Sequence, residues 1–146
     1  MAPCLSLDQF ERCCQVHPFH ASIAAMRRRT FRQIRAAAAS GMHHYVYVVL
    51  LDSEALSDPK LIHANPQRQS DKPCVYVGMT GLTPAERFAN HKSGIKSSAV
   101  VQRYGIRLLP ELYEWLNPMP FAAAARMEQD LAEDLRRQGY TVAGGH

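Results

Sequence analysis

Two short runs of β-branched and aromatic residues set the strongest constraint on how this chain folds. Residues 45–51 read YVYVVLL and residues 75–78 read VYVG, and both compositions are typical of strands buried in a sheet. The connection between them, residues 52–73, is rich in Asp, Ser, Pro, Asn and Gln. Loops of that length are usually functional or disordered, so we expect this connection to be the most mobile element and a candidate contact with a substrate.

Three further elements are predicted after the second strand. The TPAE sequence at residues 83–86 combines a capping box with proline at the first helical position, and it predicts a helix over 84–92. Residues 105–109 have the composition of a third strand. Residues 120–138 predict a last helix, which a glycine ends. The chain therefore combines strands and helices in an α/β arrangement.

The N-terminal part of the chain is predicted to be helical and rich in arginine. Residues 6–40 carry the periodicity of two helices. In the second helix, Arg28, Arg32 and Arg35 share one face because they are spaced i, i+4, i+7. That face either follows a phosphate backbone or keeps an amphipathic helix in water, and the residues leave both readings open. We divide the chain into a helical extension, residues 1–41, and a domain, residues 42–146.

The composition indicates what kind of protein this is and what kind of partner it could bind. The net charge is +4 and the pI is about 9.0, which weakly favours a polyanionic partner. Four cysteines lack the spacing of a zinc site or a disulfide framework, so we expect free thiols. The sequence has no apolar run long enough to span a membrane and does not begin like a secretory signal. We therefore expect a cytoplasmic protein that does not bind membranes.

An acidic residue interrupts the apolar stripe of the predicted last helix. The stripe comprises Phe121, Ala124, Ala125, Leu131, Ala132 and Leu135, with Glu128 in its middle. The other acids of the helix, Asp130, Glu133 and Asp134, fall mostly on the opposite face, where water reaches them. A carboxylate on a core-facing stripe is costly unless it is paired or binds a metal. The residues leave two readings of Glu128 open, a salt bridge to an arginine and a metal ligand.

Two cationic or polar residues lie on one face of the helix predicted over 84–92. Arg87 and His91 are four residues apart, and the helix begins beside the strand that carries Tyr76. Arginine binds phosphate oxygens through a bidentate fork, and the helix N-terminus favours anions. Tyr47 and Tyr76 are either ordinary strand aromatics or general bases. As bases they need a nearby cation, because an unperturbed tyrosine has a pKa near 10.

Taken in order, these residues resemble the GIY-YIG nuclease family. The run Tyr45-Val46-Tyr47 corresponds to the first motif and Tyr76-Val77-Gly78 to the second, followed by Arg87, His91 and Glu128. The resemblance covers about residues 43–142. It implies a small three-stranded antiparallel sheet flanked by helices.

The resemblance also implies a mechanism. Glu128 would bind one Mg²⁺ or Mn²⁺ ion together with the scissile phosphate, Tyr76 would act as the base with help from Tyr47, Arg87 would stabilise the transition state, and His91 would position the water. Lys92 and Lys96 are candidate nucleic-acid contacts, as are the arginines of the N-terminal helix. Tyr45 replaces the family's first glycine, and no asparagine follows the glutamate helix, where His146 is the candidate replacement.

We expect a metal-dependent endonuclease that hydrolyses DNA phosphodiester bonds. RNA and branched DNA stay open as substrates, and a homodimer or a protein partner stays open as an assembly. Two alternatives come from other classes of protein. One is a catalytically inactive nucleic-acid-binding module of the same fold, and the other is a protein-interaction adaptor built on the N-terminal helices.

Overall fold

The structure is a computed structural model that describes residues 41–146. The helices predicted over 6–40, with Arg28, Arg32 and Arg35, lie outside the described residues. The strands are β1 (Tyr45–Leu51), β2 (Cys74–Thr80), β3 (Gly105–Leu108) and β4 (Thr141–Gly144). The helices are α1 (Pro59–Ala64), α2 (Pro84–Ser93), α3 (Ala99–Tyr104) and α4 (Phe121–Arg137). Short 3-10 helices span Ser53–Ser57, Pro110–Leu112 and Glu114–Leu116.

One mixed sheet organises the domain. Its strand order is β3-β1-β2-β4. The β1 strand runs antiparallel to both β2 and β3, whereas β4 runs parallel to β2. The α/β class is thus confirmed, but the prediction of three antiparallel strands is wrong, because α4 carries the chain back so that a fourth strand pairs in the parallel sense.

The centre of the sheet forms the core. Four consecutive residues of β1, Val46 to Val49, are at most 1% exposed, so both faces of the strand are covered. Val75 and Val77 of β2 are fully buried in the same cluster. The β-branched composition that predicted these strands suits such a site, because branched side chains pack well on a pleated surface. Cys74 is also buried there as a free thiol.

The α2 helix begins and ends at the expected signals. The Thr83 hydroxyl accepts a hydrogen bond from the backbone N–H of Glu86, and the Glu86 carboxylate accepts one from the Thr83 N–H. Gly94 follows the helix with φ +83° and its N–H bonds back to the carbonyls of Asn90 and His91. A left-handed C-terminal residue of this kind is most easily glycine. The capping box is therefore confirmed, and it fixes where Arg87 and His91 project.

The connection between β1 and β2 is more ordered than predicted. It contains a 3-10 helix and α1, capped by the side chains of Asp52 and Asp58. Ala55, Leu61 and Asn65 are buried, so the connection packs against the sheet. The sequence prediction did not include these helices, because it overlooked the Asp caps and the proline that begins α1. The mobility of the connection stays a prediction.

The apolar stripe of α4 differs from the predicted one at both ends. Phe121 is 62% exposed and stacks edge-on against His44 at 5.1 Å between ring centroids, although Ala123 and Ala124 in the same turn belong to the core. Asp134, predicted to face water, is 2% exposed and accepts a hydrogen bond from the Gln138 amide. Met127 is 1% exposed and belongs to the core. Within residues 41–146, no helix is long and apolar enough to cross a membrane.

Candidate active site

Three aromatic rings meet on one face of the central strand pair. Tyr47 lies opposite Gly78 in the register of β1 and β2, and Tyr76 is two residues from Gly78, so all three positions share a face. The Tyr47 and Tyr76 ring centroids are 6.1 Å apart, and each lies about 6 Å from the His91 ring, at 6.0 and 5.9 Å. This group is called the ring cluster below.

Glycine at position 78 makes the ring cluster possible. A Cβ atom there would lie 2.6 Å from the Tyr47 hydroxyl oxygen and 2.9 Å from the Tyr76 ring. Real Cβ atoms do not approach other atoms so closely, so any other residue would push the phenols apart. The last residue of the second tyrosine motif therefore has a packing role, which is to let two phenols lie over the strand.

The hydrogen bonds of His91 fix its tautomer. Its Nδ1 accepts a hydrogen bond from the backbone N–H of Ser98 at 2.9 Å, so in the neutral ring the proton is on Nε2. Nε2 lies 2.8 Å from the Tyr47 hydroxyl oxygen and must donate to it. Burial, followed by the positive charge of Arg87, lowers the pKa of His91 to about 4. The imidazole is thus neutral at physiological pH.

The remaining hydrogen bonds direct the Tyr47 proton toward Tyr76. Burial is the largest influence on both phenols and raises both pKa values. Tyr47 and Tyr76 also interact through a hydrogen bond, which raises the pKa of Tyr47 and lowers that of Tyr76. Because the Tyr47 oxygen already accepts from His91 Nε2, the Tyr47 hydroxyl is free to donate to Tyr76. The Ser98 side chain also lowers the pKa of Tyr76 through a hydrogen bond. Of the two phenols, Tyr76 is the better stabilised as an anion.

Arg87 lies close enough to influence the whole ring cluster. Its charge lowers the pKa values of Tyr47, Tyr76 and His91. Its Nη2 donates a hydrogen bond to the Lys96 carbonyl at 2.9 Å, which holds the guanidinium at the edge of the cluster. The side chain is half-buried, so part of its donor set faces solvent.

Glu128 approaches the ring cluster from α4. It is half-buried, and its charge raises the pKa of Tyr76. Burial raises the pKa of Glu128 itself, whereas the charge of His146 and the backbone N–H groups of His146 and Gly145 lower it. The ion pairs among residues 41–146 join Arg126 to Asp130 and Arg137 to Glu133. The salt-bridge reading of Glu128 therefore finds no arginine partner in this part of the chain.

The donor set around Glu128 suits an open magnesium site. No group of three or more His, Cys, Asp or Glu side chains capable of holding a metal occurs within residues 41–146. Mg²⁺ commonly binds through one or two carboxylates, keeps several waters and takes its other ligands from substrate phosphates. Glu128 fits that pattern as a single half-buried carboxylate that forms no ion pair with an arginine of residues 41–146.

The two lysines predicted to contact nucleic acid differ in their surroundings. The Lys92 ammonium donates to the carbonyls of Gln102 and Gly105, each at 3.0 Å, so it ties α2 to the end of α3. Lys96 is exposed and has φ +44°, an uncommon conformation for a residue other than glycine. Its carbonyl is the one that binds Arg87.

Sequence reasoning missed Ser98, although this residue contacts two members of the ring cluster. Its N–H binds His91 and its side chain acts on Tyr76. The only signal was a serine before a short apolar stretch, which is typical of a helix N-cap. Backbone groups such as the Ser98 N–H and the Lys96 carbonyl leave no mark in the residue types.

Comparisons of the chain with protein-family models, with curated proteins and with solved structures gave no match. The resemblance to the GIY-YIG family therefore rests on the quoted residues and their order.

Proposed function

We propose that the protein is a metal-dependent endonuclease of the GIY-YIG type that hydrolyses phosphodiester bonds in DNA. One observation carries the proposal. Five residues that lie far apart in the sequence, Tyr47, Tyr76, Arg87, His91 and Glu128, act on one another through hydrogen bonds or charge. Perturbed titratable groups that converge in this way are more common at functional sites than elsewhere.

Tyr76 is the base in this proposal. The Ser98 N–H holds His91, His91 donates to Tyr47, and Tyr47 donates to Tyr76. These donors form a chain that ends at the Tyr76 oxygen, so they stabilise its phenolate. The phenolate takes a proton from a water molecule, the water oxygen forms a bond to phosphorus, and the bond from phosphorus to the leaving oxygen breaks. Solvent water returns a proton to that oxygen.

Arg87 and Glu128 supply the electrostatics. Arg87 leaves the Lys96 carbonyl and binds the non-bridging phosphate oxygens, where negative charge builds up in the transition state. Glu128 would hold a Mg²⁺ or Mn²⁺ ion, which would supply positive charge at the phosphate and offset the raising effect of Glu128 on the pKa of Tyr76. Preorganised charges of this kind typically contribute roughly 10²-fold to 10³-fold each to the rate.

A second function is favoured by the protonation state of the phenols. Burial raises the pKa values of both Tyr47 and Tyr76, which favours neutral hydroxyls in the absence of a metal ion. A nucleic-acid-binding module that does not cut would keep the same geometry with both phenols protonated. The two functions differ in whether divalent metal converts binding into cleavage.

Nicking of supercoiled plasmid and of branched DNA with Mg²⁺ or Mn²⁺ tests the proposal. We expect Glu128→Gln and Arg87→Ala each to reduce the cutting rate by about 10² or more. Glu133→Gln and Arg126→Ala are matched controls, because these residues lie on the exposed side of α4, and they should cut like the wild type. No cutting by the wild type on either substrate, with salt-sensitive binding retained, would establish the inactive module instead.

A further inference from the structure

The basic and acidic residues are unevenly distributed along the described chain. Residues 41–146 contain eleven Lys or Arg and eleven Asp or Glu. Residues 87–110 contain five of the basic residues and none of the acidic ones. That segment covers most of α2, all of α3 and β3, and the turns between them. The domain is thus neutral as a whole but has one strongly basic segment.

Side-chain hydrogen bonds tie the parts of the basic segment together. The two hydrogen bonds of the Lys92 ammonium join the C-terminal end of α2 to the end of α3 and the start of β3. The Ser97 hydroxyl bonds to the Gln102 side chain at 3.0 Å. These contacts bring the turn that contains Lys96 next to the last residues of α3, where Arg103 lies.

A β-bulge lies next to the last cation of this segment. The β1 register passes from Leu50, opposite Arg107, to Leu51, opposite Gly105, so Ile106 has no partner across the strand pair. Ile106 is 52% exposed and Arg107 is exposed beside it. Bulges often redirect a side chain at a sheet edge, and β3 is an edge strand.

Three cations on this surface take part in no ion pair within residues 41–146. Neither ion pair found among residues 41–146 involves Lys96, Arg103 or Arg107. Arg103 lies 5.2 Å from the Tyr104 ring centroid, which holds its guanidinium against the surface without cancelling its charge. The surface begins at Arg87, because that guanidinium is bonded to the Lys96 carbonyl.

We propose that Lys96, Arg103 and Arg107 form a phosphate-binding surface that holds the backbone of duplex DNA and leads it to Arg87. The proposal rests on the proposed function, since it takes DNA as the substrate of the ring cluster. Exposed, unpaired cations are the groups that bind phosphates and release counterions. Lys92 is not one of them, because backbone carbonyls occupy two of its three N–H donors. Arg107 gives only one of its five donors to a backbone carbonyl, that of Leu108 at 3.3 Å.

Binding without cutting tests this surface. The probe is a short fluorescein-labelled DNA duplex, and its anisotropy is measured in EDTA with the full-length protein at several salt concentrations. We expect Lys96→Gln/Arg103→Gln/Arg107→Gln to bind at least about 10-fold more weakly at low salt. Because each lost phosphate contact lowers the slope of log affinity against log salt by about 0.9, that slope should fall by about 2 to 3.

A variant with the same loss of charge controls for long-range effects. Lys60→Gln/Arg126→Gln/Arg137→Gln removes three cations outside the basic segment, two of them paired with acids. We expect its salt slope to match that of the wild type. The proposal is overturned if both triple variants lose affinity equally, or if only Arg28→Gln/Arg32→Gln/Arg35→Gln reduces the slope. Circular dichroism melting establishes that each variant is folded.

The outcomes separate this surface from the nuclease activity. If the wild type cuts DNA and the Lys96, Arg103 and Arg107 variant binds normally, the surface proposal fails and the nuclease proposal stands. If the wild type does not cut under any condition but that variant loses salt-dependent binding, the nuclease proposal fails and the surface stands.

Discussion

At one edge of the sheet the outer hydrogen-bonding groups of β4 are occupied, whereas at the other edge β3 is four residues long, bulged and exposed. The Asn65 amide covers β4, since its Oδ1 accepts from the Val142 N–H at 2.9 Å and its Nδ2 donates to the Val142 carbonyl at 3.1 Å. The buried Asn65 also donates to the Leu61 carbonyl. At β3, Ile106 and Arg107 face solvent.

The two edges differ in how fully the domain itself uses their hydrogen-bonding groups, and the proposed DNA-binding surface includes the less covered edge. The closed β4 edge fixes the chain that passes Glu128, and Arg136 strengthens it by donating to the carbonyls of Val142 and Gly144. The open β3 edge carries cations. The two strands with the tyrosines lie between these edges and are the most deeply buried part of the sheet. An exposed edge normally invites association with other strands, and a charged residue such as Arg107 opposes it.

Removing the Asn65 amide should have the largest effect on stability. Asn65→Leu leaves the buried Val142 N–H without its partner and deletes three hydrogen bonds, so we expect a loss of about 3–5 kcal/mol in the free energy of unfolding. Urea denaturation at equilibrium measures it. His63→Leu on the exposed side of α1 is the control.

At the open edge, Arg107→Gln should change the free energy of unfolding by no more than about 0.5 kcal/mol. Equal losses at both edges would contradict the comparison.

The Gly144→Ala substitution tests how tightly the end of β4 is packed at the closed edge. The residue has φ +77°, and a Cβ there would lie 2.3 Å from the Val77 carbonyl oxygen and 2.9 Å from the Tyr76 ring. We expect Gly144→Ala to lose about 2–4 kcal/mol, because it adds both backbone strain and a backbone clash. Gly81→Ala is the matched control, since its Cβ would make an ordinary contact of 3.5 Å with His44. Thermal denaturation of the two variants should separate them clearly, and a silent Gly144→Ala would show that this strand end moves freely.

The middle of the sheet should be sensitive to acid through His91. Its pKa is about 4 in the folded protein against an ordinary value of 6.5, so the unfolded chain binds a proton first as the pH falls. Titration of His91 therefore does not reduce the free energy of unfolding above about pH 6.5. Below that pH the free energy of unfolding declines toward pH 4 by at most about 3 kcal/mol, since one pKa unit corresponds to about 1.36 kcal/mol. Urea denaturation across this range, with His91→Gln as the reference that lacks the titration, measures the difference. Parallel curves for the two proteins would mean that His91 titrates normally.

The sequence predicted the elements whose signals are local. Periodicity and β-branched composition predicted β1 and β2, and the TPAE capping box predicted α2 to within a residue. The spacing of Arg87 and His91 followed from that helix. These predictions succeeded because the residues that determine each element lie within it.

What the sequence did not predict depends on distant partners. The β4 strand has only four residues. Its parallel pairing with β2 depends on where α4 ends and the chain returns to the sheet. Asn65 resembled any loop residue until its contact with Val142, 77 positions away, was known. The burial of Asp134 agrees with its spacing from the buried residues Met127 and Leu131, which share its helix face. The exposure of Phe121 depends on what other elements cover the start of α4.

The double contact of Ser98 has a consequence for how the site tolerates sequence drift. Alanine at this position deletes the hydroxyl that acts on Tyr76 but keeps the amide that sets the His91 tautomer. Proline, whose ring prefers a φ near −65°, fits the φ of −75° found there and deletes both groups at once. Most replacements of Ser98 would therefore leave the imidazole tautomer unchanged. The N–H that determines the tautomer is a backbone group, and every residue except proline supplies it.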